Sequence, residues 1–269
     1  MSNSRRTARS LLGALAALLP VLYLAAGARA DPSVSLGASF SPYRLGARTT
    51  VELSFRIGAL PGQVPPALTE VEVRYPANLG IALSGLGLAV CAPSMLEATG
   101  ASGCPANSIM GHGEALAELH FGTQVVTESA TISIARAPNQ DGHIALLLYV
   151  SGPSPVNTQI LSPAQLLPAS GGFGGRLKIE VPLVASVPGA PDLTIVELRV
   201  MLGPQGLTYF EKVAGQTLAY QPKGILLPKQ CPHGGFPFAG AFTFADGSRV
   251  SARKVVSCPR RPRTVRTKH

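Results

Sequence analysis

From Val51 to Ile57 every second side chain is apolar. Val51, Leu53, Phe55 and Ile57 alternate with Glu52, Ser54 and Arg56. A β-strand points successive side chains to opposite faces, so such a run buries one face and wets the other only as a strand. Thr69 to Tyr75 repeats the pattern, with Val71, Val73 and Tyr75 opposite Glu70, Glu72 and Arg74, and Pro76 ends it. Ser33 to Phe40 alternates more weakly. Gly111 to Phe121 places Ala115, Ala117, Leu119 and Phe121 on one face. Gln124 to Ala135 and His143 to Val150 read as two strands around a turn at Pro138 to Gly142; the second, HIALLLYV, is almost continuously apolar and is expected to be central. Arg176 to Val184 and Leu193 to Leu202 are further strands, and Gly206 to Glu211 and Gly224 to Leu227 are weaker ones.

Gly (29) and Pro (24) divide these runs, and no strand alternates with a long helix. The spacing predicts an all-β, two-layer antiparallel β-sandwich of about ten to twelve strands. Ser151 to Gly175, with SGPSP, LSPAQLLP and ASGGFGG, is expected as the longest irregular region, with a helical turn at Pro163 to Leu167. Long loops on rigid β scaffolds often carry function, which makes this stretch a candidate binding loop beside the plainer reading of a connection.

The last hairpin can be read to its register. Phe238 to Ala245 and Arg249 to Val256 flank Asp246-Gly247. A two-residue turn sets Phe242 opposite Ser251. A three-residue loop, Ala245-Asp246-Gly247, sets Phe242 opposite Val250 and Gly240 opposite Ala252. Register follows the buried face, which selects the odd loop with Gly247 left-handed.

Four cysteines, Cys91, Cys104, Cys231 and Cys258, are an even set and allow three pairings. Cys91–Cys104 and Cys231–Cys258 each close a local loop and are the expected disulfides, worth about 3 to 3.5 kcal/mol apiece in the chain-entropy model. No C-x-x-C pair suggests zinc. Between the first two cysteines, Ser94-Met95-Leu96-Glu97 has the spacing of a capping box and predicts a short helix from Met95 to Thr99, closing one end of the sandwich.

The ends differ from the body. Arg5, Arg6 and Arg9 precede an apolar run from Leu11 to Ala26 and an A-x-A site at Ala28-Arg29-Ala30. Residues 1–30 therefore read as a secretory signal peptide. The alternative, a retained membrane anchor, asks for about 20 apolar residues, and this run is short and broken by Pro20. No later stretch suits a transmembrane helix. Four of the 23 basic residues lie before Asp31 and five (Arg260, Arg261, Arg263, Arg266, Lys268) in the last ten, which leaves 14 bases against 14 acids from Asp31 to Pro259. A neutral body argues against specific nucleic-acid binding, which places charge on the fold itself. Residues 31–259 are expected as one sandwich domain and 260–269 as a disordered basic tail. That tail can bind an anionic cell-envelope polymer or membrane surface, or simply solubilise the end.

Little else suggests catalysis. His112 and His120 share one strand face with Glu114 and Glu118, but residues i and i+2 on a strand sit about 7 Å apart and the two histidines over roughly 25 Å, too far for one ion. No G-x-S-x-G, H-E-x-x-H, P-loop or dinucleotide fingerprint occurs. No catalytic residue, metal or cofactor is assigned. Carboxylate pairs for glycoside hydrolysis meet only in space, but the chain has no Trp and six Tyr to build sugar platforms.

The stretch Tyr75-Pro76-x-x-Leu79-Gly80, followed by Cys91, a short alanine-containing helix and Cys104-Pro105-x-x-Ser108-Ile109-x-Gly111, resembles uncharacterised secreted, disulfide-bearing β proteins of soil actinobacteria. It departs from them at Met110 and His112. The resemblance implies secretion and a β architecture, and no activity. The expected function is a secreted or cell-surface sandwich protein with a non-enzymatic structural, adhesive or binding role. The alternative is a secreted hydrolase using a carboxylate pair that only the fold would assemble.

Overall fold

The structure is a computed structural model and describes residues 32–59, 63–81, 86–121, 124–152, 158–185 and 192–259. The signal segment at 1–30 and the basic tail at 260–269 lie outside the described residues. The alternating runs become strands: β1 (Ser33–Ser41), β2 (Arg48–Gly58), β3 (Leu68–Pro76), β4 (Ile109–Phe121), β5 (Gln124–Gln140), β6 (His143–Gly152), β7 (Thr158–Leu167), β8 (Phe173–Glu180), β9 (Thr194–Leu202), β10 (Tyr209–Val213), β11 (Gln216–Tyr220), β12 (Ile225–Leu226), β13 (Phe236–Phe244) and β14 (Arg249–Val256). One helix, α1 (Pro93–Thr99), and two short 3-10 turns lie between β3 and β4.

Twelve strands form one antiparallel sheet in the order β1-β2-β9-β4-β5-β6-β7-β8-β3-β13-β14, with β12 also on β2; β10 and β11 pair separately. The sheet folds over on itself into two layers until its edges, β1 and β14, lie side by side. The Tyr43 hydroxyl donates to the Ser257 carbonyl, 2.6 Å away, from the chain just past these two edges. Folding over disposes of the apolar face and shelters both sheet edges.

The inner face is one core. Val51, Phe55 and Ile57 of β2 meet Val71 and Val73 of β3, Ile132 and Ile134 of β5, Leu146 and Leu148 of β6, and Phe236, Phe238, Phe242 and Phe244 of β13. The β13–β14 hairpin has the expected register, Phe242 opposite Val250 and Gly240 opposite Ala252, with Gly247 at φ 84°. That register keeps all four phenylalanines inside. The β5–β6 turn is tighter than expected: the strands run on to Gln140 and His143, and Asp141 and Gly142 alone turn at φ 50° and 76°.

A second cluster lies on the outer face. Ala135 and Ala137 of β5 and Ala145 and Leu147 of β6 pack under Leu96 of α1, with Cys91, Cys104, Ile109 and Leu207. β6 is therefore apolar on both faces, which accounts for its unbroken HIALLLYV run. The helix covers the outside of the sheet and does not close an end of the sandwich. Its cap also differs from expectation. Ala92 is the N-cap, no side chain bonds there, and Pro93 takes the first helical turn, where its missing N–H costs nothing. Ser94 and Glu97 form no capping box. The disulfides are Cys91–Cys104, which ties the two ends of the helical segment, and Cys231–Cys258, which joins the chain before β13 to the chain after β14.

Ser151 to Gly175 is not an irregular loop. Its described part is the end of β6, the whole of β7 and the start of β8, and Pro163 lies in β7 opposite Leu147 instead of in a helical turn. Pro163 is tolerated because β7 pairs with β8 only from Ala164 to Leu167, so at Pro163 no ladder partner on that side needs its N–H.

Leu96 is fully buried whereas Met95, its neighbour, is 45 % exposed. Leu96→Ala is expected to lower the unfolding free energy by about 2 to 5 kcal/mol and Met95→Ala by less than about 0.5 kcal/mol. Urea midpoints check this; equal losses would mean that α1 is not seated on β5 and β6.

Candidate functional site

Even-numbered residues of β5 face the interior: Val126, Glu128, Ala130, Ile132 and Ile134. Four are apolar and the fifth is a carboxylate. Glu128 is 3 % exposed, and neither of its carboxylate oxygens has a hydrogen-bond partner among the described residues. Buried polar groups are nearly always paired, and a buried unpaired charge costs on the order of several kcal/mol.

Small neighbours make room for it. Ala117 of β4 lies directly opposite Glu128, and Ala115 opposite Ala130. Gly152 ends β6 beneath the carboxylate: a Cβ there would stand 2.6 Å from Glu128 Oε1. Where β2 and β13 fill the interior with phenylalanine, β4, β5 and β6 supply alanine and glycine here. The result is a cavity of about 70 Å³. It is walled by Phe55, Leu68, Val71, Ile132, Leu148 and Leu198, and on its open side by Ile160 and Ser162 of β7 with Val181, Pro182 and Val184 beyond β8.

That open side follows from the strand pairing. Beyond Glu180 the chain stays with β3, and Val181 N–H donates to the Thr69 carbonyl at 2.9 Å. β7 meanwhile runs beside β6 alone from Thr158 to Pro163. The two strands part, and the cavity lies behind the gap. Burial raises the Glu128 carboxyl above its ordinary value. Such a group holds its proton further up the pH scale, and can donate one hydrogen bond when neutral or accept several when ionised.

Other sequence candidates fall elsewhere. His112 is on the outer face of β4 but is not a simple solvated residue. Gly206 packs against its ring, its Nδ1 is buried without a partner, and desolvation lowers its pKa against the raising influence of Glu114. Among the described residues, no group of three or more His, Cys, Asp or Glu could hold a metal. Several outer acids are ion-paired: Glu197 with Arg56, Glu52 with Arg199, Glu70 with Lys178 and Glu72 with Arg176 across neighbouring strands, and Glu72 also with Arg74 on its own strand. A groove of about 370 Å³ over β9, β4 and β5 is lined by Glu114, Glu197 and Arg199. Gly152, Ile160 and Ser162 from the expected binding loop do line the cavity, but as strand. No described helix is long and apolar enough to cross a membrane.

No family model, curated protein or solved structure matches the chain.

Glu128 escaped the sequence reading, though its signal was there. In Q-V-V-T-E-S-A-T-I-S-I, Glu128 falls in phase with Val126, Ala130, Ile132 and Ile134, one charge in the row that faces the core. A strand's alternation identifies its inner face, and an ionisable residue on that face is a candidate by position alone.

Glu128 is the single titratable side chain among the described residues lining the cavity. Its folded pKa lies above the ordinary 4.5, so between those values the native state keeps a proton that the unfolded chain has lost. Stability falls as pH rises through that window and stays lower above it. Glu128→Gln is expected to melt higher than the parent at neutral pH, with the gap closing as pH falls below the ordinary carboxyl value of 4.5. Melting curves across pH check this; a gap independent of pH would mean that the carboxylate is not desolvated.

Proposed function

We propose that this protein is an exported, non-enzymatic binding protein of the extracellular space or cell envelope, and that its sandwich interior takes a small apolar ligand through the gap between β7 and β8. The observation that carries this reading is the apolar cavity around the unpaired Glu128. Small-molecule sites are concave, mostly apolar and carry few convergent polar groups. A hydrolase of the two-carboxylate type needs a second acid facing the first; the described lining of this cavity holds one, whereas Glu114 and Glu197 share the groove over β9, β4 and β5, where Arg199 also stands.

Export is supported by the order of charge, apolar run and A-x-A site in residues 1–30. The two disulfides agree with an oxidising compartment. Arg260, Arg261, Arg263, Arg266 and Lys268 then follow a body of balanced charge, and they hold the module on an anionic envelope polymer or membrane surface by salt-sensitive attraction.

Dissolved xenon probes the cavity, since apolar voids bind it. Methyl NMR of residues 31–269 is expected to show xenon-dependent shifts at Ala117, Ala130 and Ile132. Ala130→Leu, which fills the space, is expected to weaken them by about tenfold while the spectrum stays dispersed. Shifts that survive the filling, or none in the parent chain, overturn the cavity reading. Separately, retention on isolated envelopes is expected to be reversed by salt and lost on deletion of residues 260–269; unchanged retention removes the tail from the function.

A further inference from the structure

The charge inventory of the cavity selects the head group of its ligand. This step rests on the binding reading above. Glu128 is the one titratable group of the described lining, and Ser162 the one other polar side chain. Among the described residues no salt bridge reaches the carboxylate, and both of its oxygens are without a hydrogen-bond partner. An anionic head would set a second negative charge beside the first in an apolar space, which like-charge repulsion and desolvation both oppose. To the ionised carboxylate a hydroxyl can donate one hydrogen bond and leaves the second oxygen unpaired. A primary ammonium has three N–H donors, enough for both carboxylate oxygens, and brings the buried net charge to zero.

We propose that the cavity is an amine site: a small apolar molecule bearing a primary amine binds with its ammonium on Glu128 and its apolar body directed through the β7–β8 gap. The proportions agree. The cavity of about 70 Å³ is several times the ~10–15 Å³ of cavity volume that holds one water, room for the head and its first carbons. The remainder meets Ile160, Val181 and Val184 on the open side. Gly152 matters to this arrangement. A side chain there would run into Glu128 Oε1 and press the carboxylate away from where an ammonium would meet it. Binding forms no covalent bond. The ammonium keeps its protons and Glu128 is held as the carboxylate, so the ligand supplies the counter-charge that the protein omits.

The test compares hexylamine, hexanol and hexanoate, equal in chain length and different in head group, on residues 31–269 by methyl NMR titration. Hexylamine is expected to bind at least about tenfold more tightly than hexanoate, with shifts centred on Ala117, Ala130 and Ile132, as a charge-assisted hydrogen bond warrants. Glu128→Gln is expected to bring hexylamine down to the level of hexanol. Hexanoate binding as tightly as hexylamine overturns the amine assignment, as does a Glu128→Gln variant of unchanged preference. In both cases xenon still reports the cavity, so the broader binding reading stands. If the variant does not fold, the ratio of amine to carboxylate on the parent chain decides alone. Absence of any hexylamine shift overturns the amine site, and absence of a xenon shift as well overturns the cavity with it.

Discussion

Aromatic contact across the interior holds the two layers together. Phe55 of β2 meets Phe242 of β13 edge-on with ring centroids 5.2 Å apart, and Phe40 of β1 meets Phe236 at the same distance. Neither pair joins neighbouring strands in the sheet. These contacts exist only once the sheet has folded over and brought its two ends together. Backbone ladders alone would leave a long open sheet with an apolar face, which water does not tolerate. Four phenylalanines on alternate positions of one strand provide both the area and the edge-to-face geometry for closure. Everything else in the fold is arranged around that wall: the odd hairpin loop that keeps the register, the disulfide at the hairpin's base, and β1 returning beside β14.

The same wall explains the cavity. Packing to native density needs large residues on one side answered by complementary volume on the other. Around Glu128 the answering residues are Ala115, Ala117, Ala130 and Gly152, and the volume is not made up. A chain selected for stability alone would place leucine or valine there and an apolar residue at 128. Instead this cavity, lined by alanine and glycine, coincides with a buried carboxylate that has no hydrogen-bond partner among the described residues and with the place where β7 and β8 part. Three departures from good packing in one place, each costly by itself, are the pattern of a site whose occupant restores what the protein leaves out.

Much of the fold was legible because a strand's period is short and strict. Val51 to Ile57 and Thr69 to Tyr75 declare their faces without any tertiary knowledge. The hairpin register followed from keeping Phe242 inside, and the disulfides from loop closure. What was not legible depended on partners distant in sequence. Thr158 to Leu167 contains Pro163 and reads as a break until β6 is seen to provide one full ladder and β8 only half of another. The helix read as an end closure because nothing near Leu96 says that Ala135 and Leu147 leave an apolar patch on the outside of the sheet. His112 read as solvated because the turn at Gly206 that covers it comes from a remote connection. Glu128 is a different kind of miss. Its phase in β5 was visible, and the reading followed histidines and cysteines when the informative residue was the carboxylate out of place.

The staples also bear on where the molecule can open. Cys91–Cys104 fixes the cover over β5 and β6, and Cys231–Cys258 fixes the hairpin that carries the phenylalanine wall. No cysteine is among the residues lining the cavity. Cross-links act on the segments they close, and ladders on the strands they pair. Between Thr158 and Pro163, β7 has neither a staple nor a second ladder partner among the described residues, so local opening there breaks the ladder to β6 alone. On the proposed route between β7 and Val181 a ligand needs only that movement. The covalent and aromatic reinforcement elsewhere lets one side of the sandwich yield while the rest of the fold keeps its shape.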